Sequence, residues 1–356
     1  MQRIITVTVI GIISEDSRVQ WLATDGGSGA AVLYRDLYPG AKAGDRLRVN
    51  ITAGLLGLGT GGADFVTGIE HAEETAAGDD SGHIMKCRYL PVQHSVLTVE
   101  SPEYRDGCVV YEKELDLGGK RILLCELHSM LPVVWELYRN VVPEGKLLAV
   151  IDDQASLGLP FSRHLSRLHK EEDFISVSIG QAFGGKFEAV NLLTALQFAC
   201  TNYPEALLVI TVGPGVTGTG TRYGFSGIVQ SSWANMIGKK GGCPVWTPRL
   251  SQADKRKRHV GLSHHTITAL TELTYADSVL PLPAGELTDR YLSDHTVSML
   301  RSRDGIHVPE VEETAIIPWV ESVLGHSSDI TTMKRGIKKD LLFFTGVGTA
   351  VHWLFS

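Results

Sequence analysis

From about residue 119 onward, apolar runs of strand length alternate with segments of helical pattern, and this alternation most limits how the 356-residue chain can fold. Strands that are apolar on both faces and separated by helices are typical of a parallel sheet covered on both sides. With right-handed crossovers, the pattern predicts a doubly wound α/β domain with a mostly parallel sheet. The apolar runs are RILLCEL, KLLAVID, FISVSIG, ALLVITVG, CPVWTPR and SVLPLP, and the helical segments are 130–140, 161–171, 186–201, 223–239 and 264–275.

The first hundred residues have a different pattern, in which short β-branched runs alternate with turn signals such as DGGSG and YPGAKAGD. Several short strands at close spacing predict a separate small β-barrel or β-sandwich. We therefore expect a β domain over 1–100, the doubly wound domain over 101–290, and a mixed segment over 291–356 that completes the α/β domain. The apolar end LLFFTGVGTAVHWLFS is shorter than the ~20 residues of a membrane span and predicts a packed helix.

Composition and charge limit the class of protein. With 43% hydrophobic and 21% charged residues the chain is typical of a globular protein, and its net charge of −7 argues against a general nucleic-acid binder. The five cysteines show no C-x-x-C spacing, which favours free thiols in a reducing cytoplasm. We expect a cytoplasmic protein with neither nucleic-acid nor membrane partners.

A glycine-rich stretch, TVGPGVTGTGTRYGFSG at residues 211–227, directly follows one of the apolar strands. In open parallel sheets, ligands bind outside the carboxyl ends of the strands. Exposed backbone amides, hydroxyl groups and a cation at this place predict an anion-binding loop, although the lysine of a Walker A motif is missing. The alternative is a loop that packs against a neighbouring subunit. The predicted ligand-binding residues of this loop are Gly213, Gly215, Thr217, Gly218, Thr219, Gly220, Thr221 and Arg222.

Polar residues also follow the first two strands of the predicted sheet. His128 is a candidate general base or metal ligand, or a residue that caps a helix, and the adjacent Ser129 is a candidate ligand-binding residue. Asp152 and Asp153 are suited to a metal ion or a sugar hydroxyl, but acidic residues also cap helices. Arg163 opens the next helix, where an anion would be stabilised.

Two further candidate segments follow later strands. Gly184 and Gly185 precede a predicted helix whose first amides could face an anion, although a tight turn is an equal alternative. After the fifth strand comes a short basic run over 254–259. Ser263 is suited to cap a helix that begins at His264 and His265, and it is also a candidate ligand-binding residue. Adjacent helical residues point about 100° apart, so these two histidines should not chelate one metal in the manner of H-E-x-x-H. We expect one to face the ligand and the other to form a structural hydrogen bond.

Four of these stretches together resemble a known family. SGHIMKCRYLPVQ, GQAFGGKFEAVN, VGPGVTGTGTRYGFSG and RHVGLSHHT are similar to signature stretches of the bacterial family catalogued as domain of unknown function 3866. The resemblance extends over most of the chain. It implies a cytosolic bacterial protein, and it assigns no activity and no catalytic residue. The loop ADKRKRH is more basic than the resemblance predicts.

Three hypotheses for function follow. In the first, the protein binds and turns over a small anionic molecule, for example a phosphorylated one, with His128, Asp152, Asp153, His264 and His265 as catalytic candidates. In the second, the same crevice binds a metabolite or docks a partner without turnover. In the third, the glycine-rich loop builds the interface of a homodimer, which is our expected oligomeric state. The sequence assigns neither a cofactor nor a metal.

Overall fold

The computed structural model describes residues 2–57, 62–70, 82–104, 111–327 and 329–356. The chain divides into two compact units, one formed by Met1–Leu97 with Gly158–Ser166 and the other by Thr98–Leu157 with Arg167–Ser356. The first contains a closed β-barrel and the second a large parallel sheet with helices. The predicted fold class, an α/β domain with a separate small β-barrel, is therefore confirmed.

The barrel closes in the strand order β1-β2-β3-β5-β4. Strand β1 pairs antiparallel with both β2 and β4, whereas β3 and β5 pair in parallel. Side chains alternate across each strand, so Val7, Val9 and their neighbour Leu47 point into the barrel core. The five strands are β1 (Ile4–Glu15), β2 (Val19–Thr24), β3 (Ala30–Tyr34), β4 (Arg46–Asn50) and β5 (Asp64–Ile69); helix α1 (Thr52–Leu55) and a hairpin of β6 (Ile84–Lys86) and β7 (His94–Val96) complete the unit.

The segment Gly158–Ser166 supplies aromatic packing to the barrel unit. It contains a single 3₁₀ turn, Leu159–Phe161, followed by the start of helix α3 (Arg163–Leu168). The ring of Phe161 stacks on Trp21 with centroids 5.5 Å apart and lies 5.6 Å from the ring of Phe65. A segment distant in sequence therefore contributes to the apolar cluster around Trp21.

The second unit is built on an eight-stranded sheet with the order β11-β10-β9-β12-β8-β13-β16-β18. Every pairing between neighbouring strands is parallel. All residues of the central strands β9, β10 and β12 are buried, as expected for a sheet covered on both faces. The strands are β8 (Arg121–Leu124), β9 (Leu147–Asp152), β10 (Phe174–Ser178), β11 (Phe187–Glu188), β12 (Leu207–Val212), β13 (Cys243–Trp246), β16 (Ser278–Val279) and β18 (Ile306–His307).

Two of the helices that cover this sheet begin later than the sequence predicts. The segment 186–201 forms a helix only from Leu192, because the Asn191 side chain accepts hydrogen bonds from the backbone amides of Leu193 and Thr194 and fixes the start there. The segment 223–239 becomes α-helical only at Val229, after a 3₁₀ turn. The helices between the strands are α2 (Met130–Val141), α4 (Leu192–Asn202), α5 (Val229–Lys239), α6 (His264–Leu273), α7 (Glu286–Tyr291) and α8 (Asp294–Arg301).

Smaller elements complete the second unit. Strands β14 (Leu250–Ser251) and β15 (Gly261–Leu262) form an antiparallel pair, and β17 (Leu282–Ala284) pairs in parallel with β19 (Glu310–Glu312). Helices α9 (Glu313–Leu324) and α10 (Leu341–Leu354) pack together and on α2, so the apolar C-terminal segment is a packed helix. Within the described residues, no helix has the length and apolar character of a membrane span. Four cysteines are free thiols, and Cys108 lies outside the described residues.

Candidate functional site

A buried ionic cluster lies at the carboxyl edge of the parallel sheet. Glu126 follows strand β8, and Arg249 follows the neighbouring strand β13. The Arg249 guanidinium donates a 2.5 Å hydrogen bond from Nη1 to Glu126 Oε1, and His265 Nδ1 lies 2.9 Å from the same oxygen. Thr266 donates to the other carboxylate oxygen at 3.2 Å. Glu126 and Arg249 are only 1% and 5% exposed, so this is a desolvated charge pair.

Local backbone structure places the residues of this cluster. Strand β13 extends its pairing one residue further, because the Thr247 amide donates to Leu124 O at 2.9 Å. The Ser263 amide donates to Arg249 O at 2.9 Å, which connects the β14–β15 pair to the start of α6. Ser263 caps α6, as predicted, since its Oγ accepts the His265 amide at 3.2 Å. The first turn of α6 is thereby held over the ends of β8 and β13.

The charges of the cluster determine its protonation. Burial alone would raise the pKa of Glu126, but the charge of Arg249 and the hydrogen bond from His265 outweigh burial and lower it to about 2. The carboxylate is therefore ionised at neutral pH and can only accept hydrogen bonds. His265 Nδ1 lies within hydrogen-bond distance of both the Glu126 carboxylate, at 2.9 Å, and Arg249 Nη1, at 3.1 Å. In the tautomer that donates its Nδ1 proton to Glu126, the lone pair is on Nε2.

His259, His264 and His265 form a cluster of three imidazoles, which we call the histidine cluster. Their ring centroids are 4.4 to 5.1 Å apart, and one ring nitrogen from each lies within 4.8 Å of the others. His259 Nδ1 lies 2.8 Å from Ser263 Oγ. The Nε2 atoms of His259 and His264 are buried and have no hydrogen-bond partner in the described part of the chain.

Two imidazoles of the histidine cluster are held in the neutral form. Burial, followed by the charges of Arg249 and Arg256, lowers the pKa of His259 to about 3. Burial, followed by positive charge nearby that includes Arg258, lowers the pKa of His264 to about 4. At neutral pH both rings therefore offer an unprotonated nitrogen.

The glycine-rich loop covers the histidine cluster. A Cβ atom added at Gly218 would lie 3.4 Å from His265 Cε1 and 3.6 Å from its Nε2, so the loop backbone runs close to the ring. Phe225 stacks on His265 with centroids 3.9 Å apart and planes within 4°. At Gly220, whose φ is +83°, an added Cβ would lie 3.0 Å from Arg258 Nη1. The loop and Arg258 therefore border the same site as the imidazoles.

Several polar groups of the glycine-rich loop form hydrogen bonds with other groups of the same loop. Thr219 Oγ1 lies 2.9 Å from Thr221 Oγ1 and also donates to Gly224 O at 3.1 Å. The Thr217 amide donates to Ser226 Oγ at 3.1 Å. Near the start of the loop, Gly213 is buried and Gly215 has a φ of +94°, a backbone conformation that glycine adopts without strain.

Arg222, the cation that the sequence assigns to this loop, binds a carboxylate of the protein. Its Nε and Nη2 atoms donate to the two oxygens of Glu272 at 3.1 and 2.8 Å. Tyr223 OH donates to the same side chain at 2.7 Å. Arg258, from the basic run over 254–259, is the cation that borders Gly220 instead.

The other predicted catalytic residues have contacts of their own. His128 is buried with Nδ1 3.2 Å from Val212 O. Asp152 accepts a hydrogen bond from Trp233 Nε1 at 3.0 Å, and burial raises the pKa of this carboxyl. Asp153 accepts from the Gln181 amide at 2.8 Å.

The remaining predicted ligand-binding residues are also engaged by the protein. Ser129 donates from Oγ to Thr332 Oγ1 at 3.2 Å. Arg163 lies over the ring of Trp21 in the barrel unit, 5.0 Å from its centroid. The Gly184 amide donates to Glu188 Oε1 and the Gly185 amide to Ser178 Oγ. The expectation that these two glycines open a helix is wrong, because β11 follows them and the helix begins at Leu192.

Sequence reasoning missed Glu126, Arg249 and His259. One available signal was that Glu126 and Arg249 each follow an apolar strand closely and carry opposite charges. Their pairing depends on the order of the strands in the sheet, which the sequence pattern leaves open. His259 could have been found as the first residue of H-x₄-H-H, in which a turn rather than a helix brings the third imidazole to the other two.

Comparison with known proteins identifies a family, but it does not identify a reaction or a ligand. No curated protein and no solved structure matches the chain. A family model described as "Protein of unknown function (DUF3866)" matches residues 30–351, a span that includes the histidine cluster and the whole glycine-rich loop. The chain therefore belongs to this family.

Proposed function

We propose that the protein binds a small anionic molecule, for example a phosphorylated one, at the carboxyl edge of the eight-stranded sheet. The observation that carries this proposal is the position of Arg258, an exposed cation whose guanidinium lies against Gly220 of the glycine-rich loop. Ligands bind at this edge in open parallel sheets, and a backbone without side chains lets them approach closely.

The ion pairing of the arginines around the loop supports an anionic ligand. Arg249 is neutralised by Glu126, and Arg222 by Glu272. Arg256 is paired with Asp254 at 2.9 Å. Arg258 forms no ion pair within the described part of the chain, so its charge is available to a bound anion. A bound anion would balance this charge, and charge-assisted hydrogen bonds to guanidinium groups are among the stronger ones in proteins.

A thermal-shift screen with inorganic phosphate, nucleotides and sugar phosphates tests the proposal. A ligand at about 100 times its Kd stabilises the folded chain by about 2.7 kcal/mol, which the melting temperature reports. Arg258→Ala should weaken binding by ~10-fold or more, because one charge-assisted hydrogen bond contributes about 1.5–3 kcal/mol. Arg222→Ala is the matched control, since it removes a cation of the loop that already binds Glu272. Equal affinity in both variants, or no ligand at all, would contradict the proposal.

Turnover of the bound anion is a second candidate function, favoured by the Glu126–His265 pair. A carboxylate that accepts the Nδ1 proton orients the imidazole and leaves Nε2 as a base, which is the arrangement of a general acid–base group. The rate at which the protein converts any ligand found in the screen should then fall at least ~100-fold in His265→Gln. This factor is the lower limit of what a general acid–base group typically contributes to a rate. An unchanged rate would favour the alternative of metabolite sensing without turnover.

A further inference from the structure

We propose that His259, His264 and His265 bind one divalent transition-metal ion of the Zn²⁺ class. This inference goes beyond the proposed function, because an anion held by Arg258 and the loop does not require a metal. It concerns one nitrogen from each of three neighbouring imidazoles, and a metal on His265 Nε2 would take the lone pair that turnover without a metal would use as a base.

The distances suit one ion after small side-chain rotations. One ring nitrogen from each histidine lies within 4.8 Å of the other two. With Zn–N bonds of about 2.0–2.1 Å, two ligands of a tetrahedral ion are about 3.4 Å apart. The nitrogens need to move together by about an ångström, which torsion rotations of three imidazoles can supply without a change in the backbone.

Buried nitrogens without partners point to a missing ligand. The Nε2 atoms of His259 and His264 are both buried, and neither has a hydrogen-bond partner in the part of the chain that the structure describes. A buried polar atom left without a partner costs free energy, so such atoms are rare unless something else satisfies them. Two of them in one cluster are explained together by a shared cation.

Outer hydrogen bonds hold two of the three imidazoles in place. His265 Nδ1 lies 2.9 Å from Glu126 Oε1, and His259 Nδ1 lies 2.8 Å from Ser263 Oγ. In the tautomers that carry the proton on Nδ1, both rings offer Nε2 to a metal, and a carboxylate behind the histidine is the usual outer partner of a zinc ligand. Glu126 is thereby a positioning residue that also supplies negative charge near the ion.

The three nitrogen ligands determine which metals suit the site. Imidazole ligands are typical of Zn²⁺, Cu²⁺, Ni²⁺ and Fe²⁺. Three protein ligands leave a fourth position open for water or for an oxygen of a bound anion.

Metal titration of the full chain after treatment with a chelator tests this site. Co²⁺ is followed by its visible d–d absorption and Zn²⁺ by calorimetry, and we expect one ion per chain. His264→Gln should weaken binding by more than the ~10–100-fold caused by losing an outer-shell partner. His264 is partly exposed, so this variant should fold, and His259→Gln is the second test. His295→Gln, an exposed histidine of α8, is the matched control and should bind as the wild type does.

The outcomes separate this inference from the proposed anion site. Arg258→Ala should retain the metal and lose the anion, and phosphate binding to the metal-free protein reports on the anion site alone. If phosphate and the other anions do not bind, the proposed function is contradicted, but the proposal of a metal site is not. No stoichiometric binding of Co²⁺ or Zn²⁺, or wild-type affinity for these ions in both His264→Gln and His259→Gln, would overturn the metal site.

Discussion

At the residue scale, the buried pair of Glu126 and Arg249 places opposite charges where water is excluded. Glu126→Gln keeps the shape of the side chain but leaves the Arg249 charge uncompensated. Removing one partner of a buried ion pair typically costs about 3–5 kcal/mol, and we expect a loss of this size in the free energy of unfolding. Urea denaturation measures it. Glu286→Gln is the control, because Glu286 is 90% exposed in its pair with Arg290 and should cost less than about 1 kcal/mol. An equal loss in the free energy of unfolding for Glu126→Gln and Glu286→Gln would show that the buried ion pair contributes no more to stability than the exposed one.

The neutral imidazole of His259 predicts a pH dependence of stability. Its pKa is about 3 in the folded chain, against ~6.5 for an unperturbed imidazole. Between these values the unfolded chain binds the additional proton, so stability rises with pH and is lost on acidification. Below about pH 6.5 this residue should reduce the free energy of unfolding by up to ~1.4 kcal/mol per pH unit, and His264 acts in the same direction.

Urea unfolding between about pH 5 and about pH 7.5 measures this slope, since unfolded histidines titrate there and most carboxylates do not. His259→Gln should have a shallower slope than the wild type, whatever its absolute stability. His295→Gln, the exposed control, should keep the slope of the wild type. A slope that His259→Gln does not change would show that His259 is protonated in the folded chain.

Some residues of the site were predictable and others were not, for physical reasons. Ser263 could be predicted as a helix cap, because a side-chain oxygen before an apolar periodic segment is a local signal. Glu126 and Arg249 are 123 positions apart, and only the order of the strands brings them together. The ring planes of the adjacent His264 and His265 are inclined at 70°, and the turn that carries His259 places all three rings close to one another.

At the element scale, helix α10 packs closely through its glycines. A Cβ atom added at Gly348 would lie 2.5 Å from Val320 Cγ2 and 3.1 Å from Ile316 Cγ2, both on α9. Overpacking in Gly348→Ala should cost about 1–3 kcal/mol, and the ~1 kcal/mol that alanine gains in a helix offsets part of this cost, so we expect a net destabilisation of up to about 2 kcal/mol.

Gly336→Ala provides the comparison for this substitution, because a Cβ added at Gly336 meets no atom within 4 Å. Both variants are measured by urea denaturation, and only Gly348→Ala should lower the midpoint. If Gly348→Ala raised the free energy of unfolding, α9 would be able to shift away from the new methyl group with little loss of stability, and α9 and α10 would not be tightly packed.

The start of α6 connects an element to the site. Ser263→Ala removes the cap of this helix and also the partner of His259 Nδ1, so it should cost about 1 kcal/mol and weaken Zn²⁺ binding ~10–100-fold. Ser293→Ala removes the matched cap of α8, whose Oγ accepts the Thr296 amide. It should cost a similar free energy of unfolding and leave Zn²⁺ binding unchanged. Equal Zn²⁺ affinity in the two variants would show that the Ser263 contact does not support the histidine cluster.

Helix boundaries show what local patterns omit. The apolar period over 186–201 predicts a helix, but Phe187 and Glu188 add a short edge strand to β10 before the chain turns. The capping signal at Asn191, with Thr194 three residues later, was present in the sequence and marks the observed start. Periodicity therefore identified the helix, and cap chemistry determined where it begins.

At the scale of the whole molecule, two different patterns of apolar residues along the chain predicted the two structural units, the barrel and the parallel sheet. Short β-branched runs predict the barrel, and apolar runs between helices predict the parallel sheet, because side-chain alternation differs between half-buried and fully buried strands. The contribution of Gly158–Ser166 to the barrel unit was not predictable, since these residues lie more than sixty positions after Leu97 within the α/β pattern. Aromatic packing across such a distance leaves no local signal.

The barrel unit should therefore depend on a residue outside its own strands. Phe161→Ala removes the ring that stacks on Trp21 and contacts Phe65. A fully buried Phe→Ala change costs about 3–5 kcal/mol, and because Phe161 is half-buried we expect roughly 2 kcal/mol. Amide hydrogen exchange resolves where this loss falls, because protection reports the local opening free energy. Peptides from β2 and β3 should exchange faster, while those from β9 and β12 should not change.

Phe355→Ala is the matched control, since it removes another partly exposed ring, which stacks on Tyr138 at 5.6 Å in the second unit. It should leave exchange in β2 and β3 unchanged. If Phe161→Ala also left these strands protected, the segment Gly158–Ser166 would be an attachment to the barrel unit rather than part of its core. Faster exchange confined to β2 and β3 would instead establish that the barrel is completed by a segment inserted between the second and third strands of the sheet, β9 and β10.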